Sequence, residues 1–373
     1  MKVGILGAGQ LGRMLALAGF PLDMTFTFYD TSGSPTANVG RTYIDTDSRL
    51  PLLDDFLSEV DVVTYEFENI STKLTRAVEQ QKPLSPATES ILVCQNREYE
   101  KALFTQLGIP TARYFVVESA EQLNNAAERL ACPVVAKSVT DGYDGKGQAV
   151  LSSPAEAEAA WQSIGHKKLI VESFVEFKRE LSIIAVRAKS GQVEYYPVTE
   201  NTHHQGILRY SIAPAPQLHP RNESLAQQFI KSLLDELDHV GVLTLELFET
   251  ETGLIANEMA PRVHNSGHWT MNSDLCSQFE NHLRAIADLP LGNTRSTRPA
   301  CMINLIGKTG ELRNILQFPY TNLHLYGKQA RAGRKIGHIN INAETYEELI
   351  WRVRNIQSIL PDCAEFRSSL SDR

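Results

Sequence analysis

Cysteine is scarce. The five cysteines, Cys94, Cys132, Cys276, Cys301 and Cys363, lie far apart, are odd in number and include no Cys-x-x-Cys pair. That pattern excludes a disulfide framework and a zinc knuckle, and it fits a reducing cytoplasm. No window of 18 uninterrupted apolar residues occurs, so a membrane-spanning helix is not expected. The N-terminus has one lysine and then an apolar run broken by glycines and Gln10, which reads as a buried strand rather than a signal peptide. Positive charge is also short. The formal net charge of -8 argues against a nucleic-acid partner and leaves room only for a local basic cluster. Internal repeats and low-complexity tracts are missing too, and no G-x-x-x-x-G-K-[ST] phosphate loop is present.

What remains is an ordinary globular composition, with 42% hydrophobic and 21% charged residues, on a chain of 373 residues that is too long for one simple core. Lys2 to Leu6, Met24 to Tyr29 and Val60 to Tyr65 read as strands, and Gln10 to Ala18 as a helix, which predicts a parallel α/β sheet over roughly 1–97. A helix from Arg97 ends at Gly108, ahead of Pro110. Short strands at 112–117, 133–138, 148–151 and 169–172, with helices near 119–131 and 154–163, predict a small α+β module over 98–177. From 178 to 373 strands dominate at first (180–186, 193–198, 242–248, 254–259), with helices near 222–239 and 276–287. Three domains without a flexible linker are expected.

Several stretches carry chemistry. Gly7-Ala8-Gly9-Gln10-Leu11-Gly12 spells the G-x-G-x-x-G of a dinucleotide turn, and Asp30 stands where a ribose-binding carboxylate would. The segment 134–150 sets glycines and Lys146 between two apolar strands, as a phosphate cradle or as a plain hairpin turn. Lys137 lies within an apolar strand, where a bound anion is a plausible partner for its ammonium. Glu172 and Glu180 stand at strand ends, either solvated or facing a base and ribose. In a hairpin centred near 252, Glu246 and Glu258 fall opposite each other among apolar neighbours. Two such carboxylates repel and call for a cation, and oxygen-only ligands favour Mg²⁺ or Ca²⁺. Arg262, His264, Asn265, Ser266 and His268 then crowd a segment with no apolar period, which reads as a substrate-contact loop. Lys328, Arg331, Arg334, Lys335 and His338 form a basic cluster suited to a phosphate monoester, or an exposed basic turn.

Taken in this order, the stretches resemble the ATP-grasp superfamily. GAGQLGRML, TDGYDGKGQ, NEMAPRVHNSGHWT and RAGRKIGHINI are similar to the N5-carboxyaminoimidazole ribonucleotide synthetases of purine biosynthesis, over nearly the whole chain to about residue 342. The resemblance implies a three-domain ATP-grasp architecture with a Rossmann-like N-terminal parallel sheet. It implies a carbon–nitrogen ligase that carboxylates 5-aminoimidazole ribonucleotide with ATP and bicarbonate, by way of carboxyphosphate. It implies ATP contacts from Arg97, Lys137, Gly142, Tyr143, Asp144, Gly145, Lys146, Gly147, Gln148, Glu172, Ser173, Phe174, Val175, Glu180, His203, Asn257 and Glu258. Mg²⁺ would lie on Glu246 and Glu258. Arg262 and His264, or His268, would hold the carboxyphosphate, with Lys137 offsetting charge on the transferred phosphoryl group. Gln10, Leu11, Asn265, Ser266, Arg331, Arg334 and Lys335 would serve the ribonucleotide, in a cytoplasmic homodimer. Which histidine takes the amine proton stays open. The rival readings are an NAD(P) oxidoreductase, which explains only residues 4–30, an ATP-grasp ligase that activates formate on a glycinamide ribonucleotide, and a catalytically idle ATP-grasp binding protein.

Overall fold

The computed structural model describes residues 1–140, 147–165 and 167–361. These residues build three sheets in succession. The first is parallel, in the order Arg41–Ile44, Thr25–Asp30, Lys2–Leu6, Val62–Tyr65. Its central strands are buried from Val3 to Leu6 and from Phe28 to Asp30 because crossover segments cover both faces. The helix Gln10–Gly19 follows the first strand directly.

The second sheet is antiparallel, in the order Tyr114–Val117, Leu169–Ser173, Val134–Ser138, Gln148–Leu151. Helices Ala120–Leu130 and Ala157–Ile164 pack on it through Leu123, Ala127, Leu130, Ala160 and Trp161. The helix Arg97–Gln106 enters it from the first sheet. Its start is set by Asn96, whose side chain accepts hydrogen bonds from the Glu98 and Tyr99 amides.

The third sheet has nine strands. Eight run in the order Leu254–Ala260, Gly241–Glu249, Arg179–Arg187, Thr199–His204, Ile207–Ala213, Ala300–Ile306, Lys335–Asn342, Thr321–Leu325, and Val193–Tyr195 pairs with Arg179–Arg187. The strand expected at 193–198 stops at Tyr195, since Pro197 has no amide to donate. Ile303, Leu305, Ile339 and Ile341 pack under helix Tyr346–Gln357 on one face. The opposite face is polar yet buried: Asn201, Ser211, Asn304, His338 and Asn340 are each under 6% exposed. Residues 265–272 cover it as a 3-10 helix, where a loop was expected. Asn-Ser-Gly is a poor α-helix start, but i→i+3 turns tolerate it, as the Gly267 amide donating to the His264 carbonyl at 3.0 Å shows.

Candidate active site

The hairpin that carries Glu246 is irregular where it matters. Leu245 pairs with Met259, but Leu247 pairs with Ala256, so Glu246 alone opposes both Asn257 and Glu258. This bulge brings both residues to face Glu246. Burial, then the Glu258 charge, pushes the Glu246 carboxyl up to about 7, against the opposing pull of His203. A carboxylate that resists ionisation beside a second one has the donor chemistry of a hard-cation site. Among the described residues no group of three or more His, Cys, Asp or Glu side chains is arranged to hold a metal. Two carboxylates alone suit an ion that takes its other ligands from phosphate oxygens.

Around this pair the structure gathers much of the expected set. His264 Nε2 lies 3.3 Å from Glu246 Oε1. His203 Nδ1 lies 2.6 Å from Glu180 Oε2. Burial, then the charges of Arg262, Lys335 and His203, lower His264 well below the ordinary histidine value, so it is neutral. Arg262 forks onto Glu68, with Nη2 2.9 Å from Oε1 and Nε on Oε2. Burial would raise the Glu68 carboxyl, yet Arg262 brings it below the usual range. Lys335 acts on Glu68, Glu246 and His264, whereas Arg331 and Arg334 act on Lys328. Asn265 and Asn304 exchange side-chain bonds of 3.1 and 2.6 Å. His268 is placed elsewhere, fully buried beneath the third sheet, its ring 4.9 Å from that of His338.

The expected nucleotide contacts line the junction of the second and third sheets. Arg97 Nη1 donates to the Ser138 carbonyl at 3.0 Å. Lys137 Nζ donates to Glu172 Oε2 at 2.7 Å. Glu172 is buried, which would raise its carboxyl, but Lys137 and Lys101 hold it down to about 2. The Ser173 and Phe174 amides donate to the carbonyls of Arg113 and Pro133. Phe174 is exposed, Val175 half-buried, and the nearby Phe177 stacks on Phe248 with centroids 4.7 Å apart. Gly147 accepts from the Ser138 amide and Gln148 pairs with Lys137. Gly142, Tyr143, Asp144, Gly145 and Lys146 lie outside the described residues.

Sequence reasoning missed Lys101, Glu100, Glu68 and Glu66. Lys101 is 2% exposed and donates to Thr111 Oγ1 at 2.8 Å and to the Asn257 carbonyl at 2.9 Å. Its Nζ stands 3.2 Å from Glu172 Oε1 as a charge contact. Glu100 Oε1 accepts from the Met259 amide at 2.7 Å. Burial, then Glu258, pushes the Glu100 carboxyl up to about 8. The two side chains thus occupy free backbone groups of an edge strand, one on each side of Glu258. Their signal was present: Arg97, Glu100 and Lys101 share one helix face.

Glu66 settles the N-terminal glycine turn. Its carboxylate accepts from the Gly9 amide and, at 2.7 Å, from the Gly12 amide, filling the space a pyrophosphate would need. A Cβ at Gly7 or Gly9 would lie 2.7 Å from Glu66 atoms, so the glycines serve an internal carboxylate. Asp30 has local partners. It is buried and accepts from the Ser32 and Gly33 amides, closing its own turn. Gln10 accepts from Lys328, and Leu11 packs on the core beneath.

Three family models cover the chain: the ribonucleotide synthetase preATP-grasp domain over 1–95, the ATP-grasp domain over 102–279, and the phosphoribosylaminoimidazole carboxylase C-terminal domain over 300–352. N5-carboxyaminoimidazole ribonucleotide synthase of Pseudomonas aeruginosa is 42% identical over 365 residues, 96% of this chain and 99% of that protein. The chain belongs to the N5-carboxyaminoimidazole ribonucleotide synthases. These are ATP-grasp ligases of purine biosynthesis. The crystal structure of the synthetase from Thermus thermophilus superposes with a TM-score of 0.93 at 40% identity, covering 98% of this chain and 100% of that one. That of the synthase from Aspergillus clavatus, in complex with ADP and 5-aminoimidazole ribonucleotide, gives 0.87 at 30% identity, covering 96% of this chain and 98% of that one. No helix among the described residues is long and apolar enough to cross a membrane.

Proposed function

We propose that the chain carboxylates the exocyclic amine of 5-aminoimidazole ribonucleotide, consuming ATP and bicarbonate. The bulged Glu246/Glu258 pair beside His264 and the Arg262–Glu68 fork carries this reading. A bicarbonate oxygen attacks the γ-phosphorus and ADP leaves. The amine then attacks the carboxyl carbon of the resulting carboxyphosphate, directly or as released CO₂, while phosphate leaves and the amine loses a proton. Mg²⁺ on Glu246 and Glu258, when bound, supplies positive charge for the transferring phosphoryl group. Arg97 and Lys137 bear on the phosphates. Glu172 to Val175 meet the adenine and Glu180 with His203 the ribose. With both Glu172 oxygens facing lysines, the adenine takes its bonds from the neighbouring backbone. Arg262 and His264 hold the carboxyphosphate away from water. Gln10, Asn265, Lys335 and the Arg331–Arg334 turn receive the ribonucleotide.

On this reading residues 1–97 form the ribonucleotide-side domain, 98–177 the ATP-grasp lid domain, and 178–373 the C-terminal ATP-grasp domain with its small subdomain. A cytoplasmic homodimer completes it, and sedimentation of the purified chain checks the dimer. The deciding experiment is ADP release from Mg-ATP with and without the ribonucleotide, in bicarbonate-replete and bicarbonate-depleted buffer. Mg²⁺-dependent release stimulated by the ribonucleotide, with carboxylated product only in bicarbonate, is expected. ATP turnover indifferent to the ribonucleotide would favour another ATP-grasp ligase.

A further inference from the structure

One chain of hydrogen bonds leads away from the site into the polar face of the third sheet. Its direction is shown, though not held, by one long backbone contact. The Ser266 amide donates to His264 Nδ1 at 3.4 Å, so that nitrogen carries no proton. Ser266 Oγ, 2.9 Å from the same nitrogen, therefore donates to it. Its oxygen is left to accept from Ser182 Oγ at 2.8 Å. Ser182 in turn accepts from Asn201 Nδ2 at 3.0 Å, and Asn201 Oδ1 accepts from Ser211 Oγ at 2.8 Å. Every hydroxyl and amide in the series points one way, toward His264. Ser182, Ser211 and Ser266 are fully buried and Asn201 is 5% exposed, so water does not compete for these bonds. Gln278 fixes the backbone at the end of the chain, accepting from the His264 amide at 2.9 Å and donating to its carbonyl at 2.6 Å.

We propose that Ser182, Asn201 and Ser211 are positioning residues that, through Ser266, lock His264 as the Nε2-protonated tautomer, with Nε2 on the Glu246 side of the ring. This rests on the functional reading above and decides a point within it. A neutral imidazole with its proton on Nε2 presents a donor to the reacting groups, so His264 holds the carboxyphosphate by donating a hydrogen bond and does not take the amine proton. The polar sheet face thereby acquires a purpose beyond filling space: it sets which way one imidazole can act.

The test is nitrogen NMR of histidine-labelled protein, with and without MgADP, in the parent and in two variants. In the parent, His264 shows a protonated Nε2 and an unprotonated Nδ1. Ser182→Ala removes the hydroxyl that feeds Ser266. Asn201→Asp keeps the shape but offers only acceptors where the chain needs a donor. Each variant is expected to give a mixed tautomer signature and to lower kcat by roughly tenfold, the scale of an outer-shell partner, while the KM for ATP holds. A protonated Nδ1 in the parent overturns the proposal. So do folded variants that keep the parent's tautomer and kcat. If Ser182→Ala does not fold, Asn201→Asp decides. A parent with the expected tautomer but no carboxylated product would overturn the functional reading and not the tautomer assignment.

Discussion

At the scale of single residues, Glu246 and Glu258 hold a repulsion that a proton or a cation relieves. Glu246→Gln or Glu258→Gln removes it together with half of the proposed cation site. Either substitution is expected to lower kcat on the order of 10²- to 10³-fold, the effect of losing a preorganised electrostatic partner. Glu246→Gln leaves the melting temperature level or raised, because the carboxyl that burial and the Glu258 charge disfavour has gone. Steady-state kinetics and a thermal melt on one sample check both halves. Glu66 differs in that two amides meet its oxygens, although burial still raises its carboxyl above the ordinary value. Glu66→Ala would orphan both and cost about 1–3 kcal/mol in a denaturant titration. The pair Glu246/Glu258 was legible from spacing and apolar context alone. Glu66 was not, because nothing in TYEFENI says that this carboxylate turns back onto a loop 54 residues earlier.

At the scale of elements, one helix face joins two sheets. Arg97 holds the end of Val134–Ser138, while Glu100 and Lys101 hold the edge strand that presents Glu258. Lys101→Met is expected to raise the KM for ATP roughly tenfold, about the 1.4 kcal/mol that one net charged hydrogen bond supplies, with the ribonucleotide KM unchanged. Substrate-varied kinetics read the difference. The apolar strands and amphipathic helices were foreseeable from their periods, as Lys2–Leu6, Gly241–Glu249 and Pro220–Glu236 show. Thr199–His204, Ile207–Ala213 and Lys335–Asn342 were not. Their alternate positions are Asn, His and Ser, which a pattern reading sends to solvent, yet Asn340 and Asn342 bond to the carbonyls of His268 and Asn272, and Ser211 bonds to Asn201.

At the scale of the whole molecule, buried histidines tie the first sheet to the third. His282 accepts from the Val242 amide at 3.1 Å through Nδ1, so its Nε2 donates to Thr64 Oγ1 at 2.8 Å. His239 bridges Ser90 and the Val242 carbonyl. Burial lowers His239 to about 4 and His282 to about 3, and it lowers His264, His268 and His338 well below the ordinary value. Groups held neutral when folded bind protons on unfolding, so the stability they contribute is full above about pH 6.5 and is lost as the pH falls. The carboxyls of Glu100 and Glu246 act oppositely. Their folded values, about 8 and about 7, lie above the unfolded one, so the stability they confer fades as the pH rises through those values. Thermal melts should therefore peak near neutrality, and Glu100→Gln should flatten the alkaline side. His282→Leu should cost about 2–4 kcal/mol, since it strands the Thr64 hydroxyl and the Val242 amide together.

The sequence by itself determined the family, the succession of sheets and the residue types at the site, because apolar period, turn glycines and charged spacing are local properties of the chain. The meeting of partners was decided only by the tertiary structure. Arg262 with Glu68, Lys101 with Glu172, and Ser182 with Ser266 are separated by 194, 71 and 84 residues. The use of the glycine turn was decided there too. Gly7 to Gly12 read the same whether a pyrophosphate or a carboxylate fills the turn, since amide donors at a helix start accept either anion.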